Sequence, residues 1–251
     1  MSAVVLVIPC FNEERRLDRN EVLRLAQQPG LSLLLVDDGS RDQTRAVLDG
    51  LAAQSPASIG VLALAKNSGK SEAVRMGLRQ AVATGAQWVG YADADLATPV
   101  DEIVRLADIA KNGHADAVLG SRVAMAGTNI ARRPVRHYLG RVFSTAASLT
   151  LDARFYDTQC GAKFFRNTEL LRATLEERFN SRWIFDVELL ARLLVGVGDL
   201  DGLPIDAFKE VPLQQWTDIP GSRIRAKDLV NVGSELFSIW QGARERKHRR
   251  R

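Results

Sequence analysis

The feature that most constrains this chain is an alternation running through residues 3–121. Apolar runs AVVLVIP (3–9), LSLLLVDD (31–38), SIGVLAL (58–64), AQWVGYA (86–92) and ADAVLGS (115–121) are separated by stretches with helical patterning, from Glu13 and over 41–53, 70–84 and 100–112. A strand that is apolar at nearly every position is buried on both faces, the mark of a parallel sheet covered by helices on each side. The crossovers joining such strands are right-handed. The expected fold is α/β with a mostly parallel central sheet.

The second half is less regular. Residues 134–151 read as a helix with Pro134 in its first turn, AKFFR (162–166) as a strand, 186–194 as a helix, 205–216 as a strand, and the chain from Ala226 onward as one amphipathic helix. No repeat or low-complexity linker divides the 251 residues, so a single domain over 1–225 followed by the helix and a basic segment over 226–251 is expected. Two cysteines, Cys10 and Cys160, imply no disulfide framework and suit a reducing, cytoplasmic setting. No apolar run approaches the ~18 residues of a membrane span, and no basic segment precedes the first one, so neither a span nor a secretory signal is expected.

Each apolar run of the first half ends in polar residues: Pro9-Cys10-Phe11-Asn12-Glu13-Glu14, Asp37-Asp38-Gly39-Ser40, Asn67-Ser68-Gly69-Lys70, Asp93-Ala94-Asp95 and Gly120-Ser121-Arg122. Open α/β sheets bind ligands beyond the carboxyl ends of their strands, so these clusters share one edge. That context gives Asp93-Ala94-Asp95 its meaning. With 18 aspartates in 251 residues, a D-x-D pattern arises by chance roughly 1.3 times. The second copy, Asp199-Leu200-Asp201, follows a helical stretch and reads as a solvated loop. The first ends an apolar strand, where aspartate is disfavoured and a buried carboxylate is costly. Convergent carboxylate oxygens are what a divalent metal needs.

A nucleoside diphosphate at this edge has three requirements. Asp37 or Asp38 can accept from a uracil or guanine N–H. Asp93 and Glu13 suit ribose hydroxyls. Mg²⁺ or Mn²⁺ on Asp95, with Lys70, can neutralise the diphosphate. Asp38-Gly39-Ser40 also reads as a turn and helix cap, and Asn67–Lys70 lacks the spacing of a Walker A loop.

VVLVIPCFNEERRL, LLLVDDGSRDQT, NSGKSEAVRMGL, YADADLATP and GSR, in that order, resemble the successive motifs of family-2 inverting glycosyltransferases with the GT-A fold. RRPVRHYLGRVFS, DTQCGAKFFR, FDVELL and VPLQQWTDIPGSRI are similar to the polyprenyl-phosphate sugar transferases within that family, most closely the dolichyl-phosphate β-glucosyltransferase type. The resemblance covers residues 3–225. It implies a nucleotide-sugar half over 1–122 and an acceptor half over 123–225. It implies that Asp93 and Asp95 serve the metal and the donor, and that Pro9, Phe11, Glu13 and Asp37 hold the nucleoside. Arg122, Arg136, Arg141 and Ser144 would bind the acceptor phosphate, Asp157 and Gln159 would lie by the transferred sugar, and Ser222 and Arg223 would close over the phosphates. Asp95, Asp157, Gln159 and Arg141 are the expected catalytic set. UDP-glucose is the favoured donor, with GDP-mannose as the alternative. Ala97 departs from the family pattern, in which a polar residue often stands two positions past the metal aspartate. The membrane helices of many relatives are also missing.

A lipid phosphate is anionic at neutral pH and needs positioning and charge neutralisation instead of a base. A soluble hydroxyl acceptor would need one, and Asp157 is the candidate. A non-catalytic nucleotide-sugar binder is a further alternative. Nucleic acid is excluded as a partner. Of the net charge of +4, residues 243–251 contribute +5 and the rest sums to −1, and no nucleic-acid reading motif is present. Leu229, Val232, Leu236 and Trp240 form a helical stripe widened by Phe237 and Ile239, followed by Arg244, Arg246, Lys247, Arg249, Arg250 and Arg251. The stripe either packs on the domain or lies on anionic lipid at the inner face of a membrane.

Overall fold

A computed structural model describes residues 3–131, 134–219 and 226–249; within 134–139, 226–231 and 247–249 only the course of the helix is described. The first half delivers the expected alternation: β1 (Val4–Cys10), α1 (Arg19–Ala26), β2 (Leu31–Asp37), α2 (Thr44–Gln54), β3 (Ile59–Ala63), α3 (Lys70–Ala83), β4 (Trp88–Ala92), α4 (Val100–Asn112) and β5 (Ala117–Ser121). The second half adds β6 (Asn129–Ala131), α5 (Pro134–Leu151), β7 (Ala162–Arg166), α6 (Glu169–Glu176), α7 (Phe185–Val195), β8 (Gly196–Val197), β9 (Leu200–Asp201), β10 (Phe208–Pro212), β11 (Gln215–Thr217) and α8 (Ala226–Arg249).

The central sheet has seven strands in the order β10-β5-β7-β4-β1-β2-β3. All neighbours are parallel except β7, which runs antiparallel between β4 and β5. One apolar cluster packs α1, α2 and α4 on one face, and a second packs α3, α5, α6, α7 and α8 on the other. Both faces are thus covered, as the unbroken apolar strands require.

Three sequence expectations change. The first helix begins at Arg19, not Glu13. The Glu13 carbonyl accepts from the amides of Arg16 and Leu17 in a turn, and Asp18 then caps α1 through the amides of Asn20 and Glu21. The strand expected over 205–216 breaks after Pro212. The Leu213 amide donates to the Ser121 carbonyl and the Gln214 amide to the buried Glu102 carboxylate, and β11 leaves the sheet to pair with β6. Asp199 lies in an exposed turn as expected, where the preceding Gly198 takes a positive φ of 57°, but Asp201 falls in β9 of the β8–β9 hairpin.

Candidate active site

The strand order reverses between β1 and β4: β2 and β3 extend to one side of β1, and β4 lies on the other. A crevice outside the carboxyl ends is the expected result. Asp93 and Asp95 follow β4 in a tight turn, with the Leu96 amide donating to the Asp93 carbonyl and Leu96 itself at a positive φ of 48°. Positive φ at a leucine is uncommon and costs strain, which is tolerated where a loop must be re-aimed. The Asp93 amide donates to the Gly161 carbonyl next to β7. A Cβ on Gly161 would overlap the Asp93 carboxylate, so glycine is what lets that side chain fold against the strand.

Cations meet both carboxylates. Lys70 Nζ, at the start of α3, lies 2.5 Å from Asp93 Oδ1. Partial desolvation works against its charge even though the side chain is 45% exposed, but the neighbouring Asp93 and Asp186 outweigh it and raise its pKa. Arg16 crosses the switch point, 3.5 Å from Glu13 Oε2 and 3.5 Å from Asp95 Oδ2. Burial first, and then the neighbouring Asp93, raise the pKa of Asp95. Asp95 Oδ1 accepts from the Ala97 amide at 3.2 Å, so residue 97 contributes its main chain to the turn.

These two aspartates fit a divalent ion. Two like charges are gathered in one turn, burial and then the neighbouring Asp93 raise the pKa of Asp95, and each carboxylate has drawn in a cation. No cluster of three or more His, Cys, Asp or Glu side chains able to hold a metal occurs among the described residues. The set therefore suits Mg²⁺ or Mn²⁺ held by one or two carboxylates, with water and substrate phosphate completing the shell.

The ends of β1, β2 and β3 carry three latched loops. The Asn12 amide donates to Ser40 Oγ at 3.0 Å, the Arg41 amide to Asn12 Oδ1 at 2.8 Å and the Glu13 amide to Thr44 Oγ1 at 2.7 Å. Pro9 and Phe11 are half-buried beside them, and Glu13 and Asp37 are buried. Asp37 Oδ1 accepts from the Ser40 amide. Asp38 differs. It accepts from the Ser68 amide at 2.7 Å, the Gly69 amide at 2.8 Å and Asn67 Nδ2 at 2.9 Å, and burial raises its pKa. Here Asp38 pins the loop that delivers Lys70.

Across the sheet, beyond β5, Arg122 grips Asp157 through Nε at 2.6 Å, Nη2 at 2.8 Å and its amide at 3.1 Å, with its guanidinium 5.3 Å from the Trp216 ring centre. Glu210 on β10 fixes the same segment by accepting from the Tyr156 and Asp157 amides. Burial pulls the Asp157 carboxyl up, but Arg122 outweighs it and holds the group well below the usual carboxylate range. Arg141 lies 3.8 Å over the Tyr156 ring and donates to the Tyr156 carbonyl at 3.4 Å. The Gln159 amide donates to Asp157 Oδ1, and its Nε2 is buried without a hydrogen-bond partner among the described residues. Ser144 is buried on α5. The Arg136 side chain, Ser222 and Arg223 lie outside the described residues.

Sequence reading missed a second charged group behind the aspartates. Lys163, fully buried in β7, donates to Asp186 Oδ1 at 2.7 Å and to the Cys160 carbonyl. Tyr91 donates to the same carboxylate, and burial followed by Asp186 raises its pKa. A lysine inside an otherwise apolar strand was a legible sign, since buried lysine is almost always paired. Arg16 was legible as an i,i+3 partner of Glu13. Both cysteines are buried and unpaired, and burial pushes the Cys160 thiol up to about 11, so it is no nucleophile.

Carboxylates thus gather on one side of the switch point and a guanidinium–carboxylate pair on the other. The solved structure of glucosyl-3-phosphoglycerate synthase from Mycobacterium tuberculosis in complex with UDP shares the fold. It superposes with a TM-score of 0.67 at 20% identity over 95% of this chain and 80% of its own. Its complex with Mn²⁺, UDP-glucose and phosphoglyceric acid superposes with a TM-score of 0.64. Residues 5–179 match Glycosyl transferase family 2, and the chain belongs to that family; it is a glycosyltransferase. The dolichyl-phosphate beta-glucosyltransferase of Drosophila melanogaster is 33% identical over 94% of this chain and 73% of its own length. The human protein of the same name is 30% identical over 93% and 74%.

Proposed function

We propose that this chain transfers glucose from UDP-glucose to a polyprenyl phosphate of the dolichyl class, inverting the anomeric carbon. The observation that carries this reading is that the buried carboxylates Asp157 and Asp186 are already engaged. Asp157 is held by Arg122 and Asp186 by Lys163 and Tyr91. A carboxylate whose pKa is driven down is a weak base, so an acceptor hydroxyl would find no effective proton acceptor in Asp157. A phosphate oxygen is already anionic and needs none. The names of the relatives support the glucosyl group and the dolichyl acceptor, and the UDP and UDP-glucose complexes of the structural neighbour support the uridine donor.

In this reading Pro9, Phe11, Glu13 and Asp37 form the nucleoside pocket over residues 1–122. Asp93 and Asp95 hold the divalent ion, which supplies positive charge to the leaving diphosphate. Lys70 and Arg16 lie beside those carboxylates and turn to the same phosphates when the donor binds. Ser222 and Arg223 close over them. Gln159 offers its buried amide to a sugar hydroxyl. Arg122, Arg136, Arg141 and Ser144, in the acceptor half, orient the lipid phosphate for attack on the face of the anomeric carbon opposite the diphosphate. Asp157 positions Arg122. The acceptor is a membrane lipid, so the chain works at a membrane surface; among the described residues no helix is long and apolar enough to cross one.

The test is incubation with radiolabelled UDP-glucose or GDP-mannose, with Mg²⁺ or Mn²⁺, and with dolichyl phosphate, 3-phosphoglycerate or a simple alcohol as acceptor. Organic-soluble label from UDP-glucose and dolichyl phosphate alone is expected. Label appearing only in a water-soluble product would overturn the lipid acceptor.

A further inference from the structure

The stripe expected on α8 does not face solvent as a unit. Ile239 is buried, and Val232 and Leu236 pack partly buried against the cluster shared with α5 and α7. What α8 leaves outside is the other part of that stripe, Phe237 and Trp240. Phe237 is 62% exposed, its ring stacks on Trp240 at 5.6 Å, and the Arg244 guanidinium lies 4.1 Å from the Trp240 ring centre. Helix α5 packs against α8 and behaves alike. Ser144, Ala147 and Leu151 are buried, while Val142 and Leu149, seven residues apart and so on one face, are 70% and 76% exposed. Leu149, Val142 and Phe237 are the most exposed large apolar side chains among the described residues, and they sit on two helices that touch. Scattered exposed apolar residues are ordinary, but a patch gathered on neighbouring elements marks an interaction surface.

We propose that the joined outer faces of α5 and α8 are a docking surface for an anionic lipid bilayer. Phe237 and Trp240 enter the headgroup region, Val142 and Leu149 seat α5 beside them, and Arg244 meets the phosphates. Charge complementarity selects this occupant. The segment 243–251 carries six Lys and Arg against the single Glu245, and Arg244 lies on the aromatic pair itself. A second copy of the chain would bring two such segments together and repel. An aromatic and aliphatic face bordered by cations is the composition of an interfacial helix. The placement also serves the chemistry. Val142 follows Arg141, whose side chain reaches Tyr156 beside the Arg122–Asp157 pair, so docking of α5 would bring lipid phosphates to the acceptor side. The inference rests on the lipid-phosphate reading above.

The full chain would be co-sedimented with vesicles of phosphatidylcholine alone and with equal parts of phosphatidylglycerol, at low and high salt. Binding to the anionic vesicles, weakened by salt, is expected. The pair Val142→Ser/Leu149→Ser should lose about tenfold in vesicle affinity, as should Phe237→Ser/Trp240→Ser, and the four together should abolish binding. All these side chains reach solvent, so unchanged melting temperatures should accompany the loss. Wild-type binding by the α5 pair or by the fourfold variant would overturn the proposal. So would a fourfold variant that binds vesicles normally but changes a dimer into a monomer, which would make the face a contact between copies. Transfer to a short polyprenyl phosphate in detergent should persist in the fourfold variant. If the wild-type chain glucosylates no lipid phosphate at all, the catalytic reading fails, while the vesicle measurements judge the docking face on their own.

Discussion

The Asp157 carboxylate is buried and accepts three hydrogen bonds from Arg122. Its pKa in the folded chain lies below the ~3.9 of an unfolded aspartate. A carboxyl depressed in this way contributes stability that is complete above the unfolded pKa and fades as pH falls toward the folded one. Asp157→Asn should therefore cost most near neutral pH, about 3 kcal/mol for breaking a buried pair, and progressively less below about pH 4. Urea unfolding of both proteins across that range checks this; a gap independent of pH would contradict it. At Asp95 and Lys70 the expected effect is on turnover. Asp95→Asn or excess chelator should lower kcat by on the order of 100-fold or more, since charge opposite a leaving diphosphate is worth several kcal/mol. Lys70→Met should act similarly while leaving the melting temperature near wild type, because the Lys70 side chain is 45% exposed. Full turnover in chelator would remove the metal from the scheme.

Helix α3 can lie against the sheet because Gly77 faces it. A Cβ there would collide with Val7 and Val36 of β1 and β2. Gly77→Ala should destabilise the fold by about 1–3 kcal/mol, as overpacking does, and should also loosen donor binding, because α3 carries Lys70 at its first turn. Chemical denaturation and calorimetric titration with UDP measure the two effects. The strands and the polar residues at their ends were legible in the sequence because both are local: continuous apolar runs fix a parallel sheet, and their ends fix an edge. What was not legible depends on pairings far apart in the chain. Nothing in AKFFR says that β7 inserts between β4 and β5, nothing in NIA or QWT says that they pair, and the break after Pro212 is made by Ser121 and Glu102. At the site, the aspartates and Lys70 were found from position alone. Asp186 looked like an ordinary acidic residue in the first turn of a helix, and Glu210 like one charged residue in a strand. The stripe on α8 was read correctly as apolar, but the choice of which residues face outward belongs to α5 and α7.

In the proposed reading the molecule separates donor from acceptor across its sheet. Arg141→Ala should impair use of lipid phosphate while leaving UDP affinity within about twofold, since surface changes away from a site rarely exceed ±0.5 kcal/mol. Equal losses in donor affinity and rate would place Arg141 on the donor side instead. The halves are nevertheless not separable as polypeptides. Between β4 and β5 of the first 122 residues lies a place one strand wide, and β7 from the later residues fills it while its neighbour Gly161 holds the Asp93 turn. During synthesis the first 122 residues emerge with two unpaired strand edges facing an empty slot. They wait for some forty more residues before the slot closes, a span of seconds at ordinary elongation rates. Over that interval the nascent chain carries exposed pairing surfaces open to another chain or a chaperone.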